Sequence, residues 1–348
     1  MLVFLLRRFG VMVLSALCLT FVVFYMTNLF PNLEKLAKTE VNQRMSDEAV
    51  VQWLTNRGYM EPTLSKYGQW LGVVPGFVIE GTDGEIRGKC IGPTETSEEA
   101  PRYCGILQGD WGDSTVFKDT VANILSARGY QTLKLIAYVF PIMVVAALII
   151  GVLAGMREGS KLDRTLSTFS IGTTATPEYV SGVILITIFS SRAVGLGWFK
   201  GTATSAMDNI TFENFTLPVV TIALYGMGYI ARMTRASMAE VMTAQYVRTA
   251  RLKGVSFRNI VLKHALRNAL IAPFTVIMLQ IPWLLNGVVI VEILFNFKGI
   301  GWTLIQAAGN NDIELLLGVS VVSVVVVLLT QLISDIGYVY LNPRISVT

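Results

Sequence analysis

Apolar runs long enough to cross a lipid bilayer recur along this chain, and they restrict its fold more than any other feature. The first covers residues 9–30, 22 positions without a charge. About 20 apolar residues at 1.5 Å each cross a hydrocarbon core roughly 30 Å thick. Comparable runs follow at 133–155, 171–189, 216–233, 274–291 and 315–340. Inside lipid every backbone N–H and C=O must be bonded within the segment, so such runs fold as helices. Composition agrees: 53% of residues are hydrophobic and 15% charged, against about 25% charged in a soluble domain. The expected fold class is an all-α polytopic membrane protein with six transmembrane helices.

Charge sets the expected orientation. Arg7 and Arg8 precede the first run, and Arg157, Lys161 and Arg164 follow the second. Residues 232–271 hold eight Lys or Arg against one acid, Glu240, and Arg344 follows the last run. The opposing short loops carry only Arg192, Lys200 and Lys298 as bases. The positive-inside rule then puts both termini in the cytoplasm of a bacterial inner membrane. These bases explain the net charge of +4 without nucleic acid. The first run ends in Asn28-Leu29-Phe30-Pro31-Asn32, without a small-x-small cleavage site, and reads as an anchor. A twin-arginine signal is the alternative.

Between the first two runs, residues 32–130 are polar, with 14 acids and 10 bases. That length is enough for a small domain, expected in the periplasm. The organisation expected is a first helix in 1–30, a periplasmic domain in 31–130, and a five-helix core in 131–341. The core holds a cytoplasmic loop at 234–271, and 342–348 form a cytoplasmic tail. Cys90 and Cys104 lie in the polar segment, where an oxidising compartment permits a disulfide; two free thiols are the alternative. Cys18 stands within the first run.

The chemistry of a self-sufficient enzyme is missing. There is no G-x-x-x-x-G-K-[ST] phosphate loop, and Gly88-Lys89-Cys90 does not supply one. The one histidine, His264, lies in the basic loop, so Ser181 has no base at its depth. No C-x-x-C pairing suggests a metal. Ion-driven carriers place a carboxylate within the membrane. The candidates Glu178, Glu292 and Asp335 each fall near the end of a run, and Asp335 can equally pair with a base or cap a helix.

Residues 246–273, YVRTARLKGVSFRNIVLKHALRNALIAP, read as a short helix, a glycine break and a second basic helix. Val247 and Ala250 share a face at helical spacing. Gly254 suits a helix C-cap and Ser256 an N-cap. The loop reads either as a charge block that only sets orientation or as a folded docking element for a soluble partner.

Here the chain resembles the permease subunits of bacterial ABC importers of the dipeptide, oligopeptide and nickel type. YVRTARLKG followed by HALRNAL carries the resemblance. So do Leu6-Arg7-Arg8, Gly109-Asp110-Trp111-Gly112, Glu292 to Phe295 with Gly299-Ile300-Gly301, and Asn342-Pro343-Arg344-Ile345. It covers all but roughly residues 76–105, which look like an insertion. Thr249-Ala250-Arg251 stands near the Glu-Ala-Ala of the general importer motif, Lys298 replaces a frequent proline, and Asn342 a frequent aspartate. The resemblance implies the type I importer permease fold and four kinds of contact: a second permease, two cytoplasmic ATPases carrying ATP and Mg, a periplasmic solute-binding protein, and lipid. This chain itself would hold no cofactor. Tyr246, Val247, Thr249, Ala250, Arg251, Lys253 and Gly254 are the expected ATPase-coupling residues. Gln280, Asn286 and Glu292 are candidates for the translocation pathway, with helix–helix hydrogen bonding as the alternative for each. The expected solute is a peptide or peptide-like molecule; a stand-alone carrier or channel is the other reading.

Overall fold

The computed structural model describes residues 2–80, 86–91, 100–193 and 195–341; the side chains of 2–5, 285–286 and 338–341 are not described. The expected tail at 342–348, the side chain of Asn286 and parts of the 76–105 insertion lie outside the described residues. In chain order the helices are α1 Leu2–Thr27, α2 Phe30–Glu40, α3 Asp47–Thr55, α4 Thr63–Leu71, α5 Val121–Gly155, α6 Lys161–Ala175 and α7 Glu178–Phe189. Then come α8 Phe212–Thr243, α9 Gln245–Leu252, α10 Phe257–Asn259, α11 Leu266–Ala269, α12 Ile271–Leu294, α13 Ile300–Asn310 and α14 Ile313–Leu341. A π-helical stretch, Ile260–Ala265, joins α10 to α11.

By length and apolarity α1, α5, α8 and α14 each suffice to cross a membrane, and the bent pair 257–269 and 271–284 counts as a fifth if it is one span. The remaining expected run is divided into α6 and α7. Pro177 restricts the residue before it to extended backbone, and Thr176 takes φ −92°, ψ 123°. In the fifth run Pro282 does not mark the break. Helix α12 continues through Pro282, and the 54° bend separates Ala269 from Ile271. Pro273 cannot donate to the Ala269 carbonyl and its ring crowds it, so the helix yields one turn earlier.

The chain divides into two compact units. Among the described residues, one comprises 2–128 with 303–325; the other comprises 129–302 with 326–341. This grouping differs from an independent domain at 31–130. The polar segment closes its core on residues from outside that range: Phe24, Leu33, Leu36, Val50, Leu54 and Trp70 cluster with Ile313 and Leu317. Asp312 carries the same connection in polar form, accepting from Ser114 Oγ at 2.5 Å and from the Val116 N–H at 3.2 Å. The boundary near 130 lies inside α5. Within this unit β1 Val78–Glu80 pairs antiparallel with β2 Ile86–Gly88. Cys90 and Cys104 are disulfide-bonded, with Cα atoms 5.5 Å apart.

The second unit is built around α8. Leu217, Ile222, Ile230 and Ala231 join Leu135, Val139 and Met143 of α5 and Leu284, Val288 and Val291 of α12 in one core. Against the other side of α8, Gly182 of α7 packs beside Thr221, and Gly228 of α8 beside Ser170 and Thr173 of α6. These two contacts fix the register of the broken pair along α8.

Candidate functional site

Helix α9 has one buried edge and one open face. Val247 and Ala250 point inward and pack with Ile260, Met242 and Val255. Tyr246 is 43% exposed and Leu252 82%; Arg248, Thr249, Arg251 and Lys253 are also exposed. So of the seven residues expected to couple to an ATPase, Val247 and Ala250 secure the helix, while Tyr246, Thr249, Arg251 and Lys253 stand on its open side with Gly254. Two fastenings hold the element. Tyr246 Oη accepts from Asn268 Nδ2 at 3.0 Å. At the other end Gly254 takes φ +76°, its N–H donates to the Arg251 carbonyl, and the Val255 N–H reaches back to Ala250 at 3.2 Å. This is a Schellman-type cap, completed by the apolar contact of Val255. Ser256 has the extended backbone of an N-cap but makes no side-chain capping bond. Thr249 Oγ1 is used locally, donating to the Gln245 carbonyl.

The start of α6 carries an ion pair that sequence reading missed. Asp163 is 2% exposed. Arg235 grips it bidentately, Nε to Oδ1 at 2.6 Å and Nη2 to Oδ2 at 2.8 Å. The Gly159 N–H and Ser167 Oγ complete the shell at 2.9 and 3.0 Å. The Arg235 guanidinium holds the Asp163 carboxyl well below the usual carboxylate range, against the opposing effect of burial. This pair locks the start of α6 to α8, ten residues before α9. Only the capping pattern Ser160-x-x-Asp163 hinted at it; the partner 72 residues later is a tertiary fact.

The three pathway candidates part company. Glu292 is fully buried within this chain. Its Oε1 accepts from Thr132 Oγ1 at 2.6 Å and its Oε2 from the Trp302 N–H at 3.0 Å, while Thr132 Oγ1 accepts from the Ile300 N–H. The carboxylate therefore binds the free N–H groups at the start of α13 and shapes the Gly299-Ile300-Gly301 turn. Gln280 is 8% exposed, and its Oε1 has no hydrogen-bond partner among the described residues. The side chain of Asn286 is not described.

Glu178, set aside as terminal in the sequence, lies beside the middle of α8. It lies between the Gly182–Thr221 and Ser170–Gly228 levels of α8, within electrostatic reach of Tyr225. Tyr225 is about 18 Å along the helix from Glu213 and about 15 Å from Arg235, at 1.5 Å per residue. A carboxylate thus stands beside the middle of a membrane-length helix, where an ion-driven carrier would also have one. Among the described residues no cluster of His, Cys, Asp and Glu has the make-up of a metal site.

Comparison with known proteins bears on this choice. Residues 147–347 match the family described as binding-protein-dependent transport system inner membrane component. The oligopeptide transport system permease protein AppB of Bacillus subtilis (strain 168) is 34% identical over 247 residues, covering 69% of this chain and 77% of that protein. A probable peptide ABC transporter permease protein, y4tP, of Sinorhizobium fredii is 35% identical over 240 residues, with the same shares. The glutathione transport system permease protein GsiC of Escherichia coli (strain K12) is 33% identical over 239 residues, 69% of this chain and 76% of that protein.

Proposed function

Because this chain belongs to the family of binding-protein-dependent transport system inner membrane components, we propose that it moves peptides or peptide-like solutes into the cytoplasm as one of two permease subunits of an ATP-driven importer. Six crossings follow if the broken pair α6–α7 counts as the third. Both termini are then cytoplasmic and residues 31–130 extracytoplasmic, facing the solute-binding protein. Two ATPase subunits bind ATP and Mg on the cytoplasmic side, and the chain itself carries no catalytic residue.

The observation that carries the reading is the form of α9: a helix fastened along one edge and bare along the other. A loop whose only task was orientation would need positive charge, not a capped helix with an exposed leucine. The bare face is the surface on which an ATPase pushes. Its fastenings pass the load onward: Met242 leads to α8, Ile260 and Asn268 to the basic arm ahead of α12. The Asp163–Arg235 pair carries α6 with α8. A displacement of α9 therefore moves a packed set of helices and tilts the path between its two openings. The coupling needs an ATPase contact that differs between those two states. Peptide is the solute named for the relatives AppB and y4tP.

Purification of the native complex in mild detergent, with mass spectrometry of every subunit and bound small molecule, tests this. Two ATPases, a second permease and a bound peptide are expected. A lone chain that transports after reconstitution without ATPases would overturn the reading in favour of a stand-alone carrier.

A further inference from the structure

The break between α6 and α7 does more than interrupt a helix. It sets Glu178, the first residue of α7, at the depth of Tyr225, near the centre of a hydrocarbon core about 30 Å thick. One oxygen of this carboxylate, Oε2, is buried and has no hydrogen-bond partner among the described residues. The backbone of Gly287 on α12 lies directly beneath it: a side-chain carbon there would come 3.2 Å from Oε2 and 3.3 Å from the Trp283 ring. That ring stacks on Tyr225 at 4.8 Å between centroids, nearly parallel at 18°. Tyr229 continues the aromatic stripe one turn toward the cytoplasmic side, its hydroxyl 3.4 Å from that of Tyr225.

Three features here favour a cation. A carboxylate within a membrane protein marks a functional position, and here Oε2 has no hydrogen-bond partner among the described residues. Aromatic faces attract ammonium groups through their quadrupole. Pro177 has no N–H to give the Thr173 carbonyl, so α6 ends with its negative pole directed at the break. Discontinuous membrane helices use such ends to hold ligands at the midplane.

We infer that Glu178, with the Tyr225–Trp283 aromatic pair beside it and the bare backbone of Gly287 against the carboxylate, is a mid-membrane station for the free amino group of the transported solute. This rests on the importer reading and narrows it: the permease, and not the binding protein alone, selects solutes with an ammonium group. Glu178 is a specificity residue and takes no part in ATP-driven tilting.

The test uses the whole importer in proteoliposomes with its binding protein and ATP inside. Uptake is measured for one radiolabelled peptide with a free N-terminus and for its N-acetylated form, after direct binding shows that the binding protein holds both. Wild type, Glu178→Gln and Glu178→Asp are compared. Glu178→Gln should lower free-amine uptake about tenfold relative to acetylated uptake, with binding-protein-stimulated ATP hydrolysis retained. Glu178→Asp should recover most of the preference. If wild type refuses the acetylated peptide, Glu178→Gln should admit it. An equal loss for both peptides would make Glu178 structural or proton-carrying, and an unchanged ratio would remove it from selection; either overturns the inference. Failure of wild type to move any peptide would instead sink the importer reading itself.

Discussion

Two residues show how a single position governs a larger element. Gly254 closes α9 with φ +76°, and nothing stands within 4 Å of the site where a side chain would begin. Space is therefore no obstacle to substitution; the backbone is. A residue with a branched Cβ resists this conformation by roughly 1–2 kcal/mol, enough to unwind a cap on so short a helix. Gly254→Val should reduce uptake at least about tenfold while the protein still inserts, and Gly254→Asn should be milder because asparagine tolerates the left-handed region. Uptake assays paired with quantification in the membrane fraction would decide this, and normal uptake by the valine variant would refute it. Asp163 is the second case. Asp163 is buried but Arg235 keeps 30% of its side chain exposed, so the charge left by Asp163→Ala can hydrate. The lost charged hydrogen bonds cost about 1.5–3 kcal/mol, and the variant should melt earlier in detergent. Its carboxyl titrates lower when folded than when unfolded. The stability it contributes is therefore complete above the unfolded value of about 3.9 and fades as pH falls through the lower folded value. The gap in melting between wild type and variant should stay constant from pH 5 to 8 and shrink only below about pH 4.

At the scale of elements, the coupling loop shows how far a sequence pattern reaches. The spacing of Val247 and Ala250 was legible as a buried edge, and Gly254 as a stop, because both are local consequences of the helical period and of backbone sterics. What the pattern could not supply was the bare face beside that edge, because exposure depends on every helix that might cover it. The exposed Leu252 is the clearest product of that face, and it was not singled out. Leu252→Asp should weaken retention of the ATPases about tenfold during purification without lowering the melting temperature of this chain. A lower melting temperature with normal retention would mean that Leu252 belongs to the fold and not to a contact. The same limit explains Glu292. Its position at the end of an apolar run says nothing of Thr132, 160 residues earlier, which is bonded to it.

At the scale of the molecule, the polar segment after α1 is tied into the fold at both ends. Phe24 precedes it, Ile313 and Leu317 come from the far end of the chain, and all three enter its apolar core. The disulfide fastens the hairpin region, where Cys90 and Cys104 close a short loop; such a loop stabilises by about 3 kcal/mol in the chain-entropy account. The region sits at the edge of this core, so its removal should spare the remainder. Deleting residues 76–105 should leave the chain inserted and its ATPases bound, but should weaken docking of the binding protein. Surface plasmon resonance on the complex in nanodiscs measures that directly, and unchanged docking would assign the insertion another purpose.

The sequence by itself determined the membrane class, the positions of the apolar runs and the location of the coupling loop. Each follows from quantities summed over neighbouring residues: hydropathy, charge bias and helical period. Tertiary structure decided what depends on residues far apart in the chain. It joined Asp163 to Arg235, made Glu292 the anchor of a turn, and placed the fifth-run bend at Leu270. It also lengthened the third run into a broken helix and so carried Glu178 from an expected end to a place beside the middle of α8. Hydropathy averages cannot see this last point, because α6 is polar enough to fall outside a lipid-like window yet packs along α8 all the same. The depth of a charge in a membrane protein is set by the helices it packs against, and that is a property of the fold.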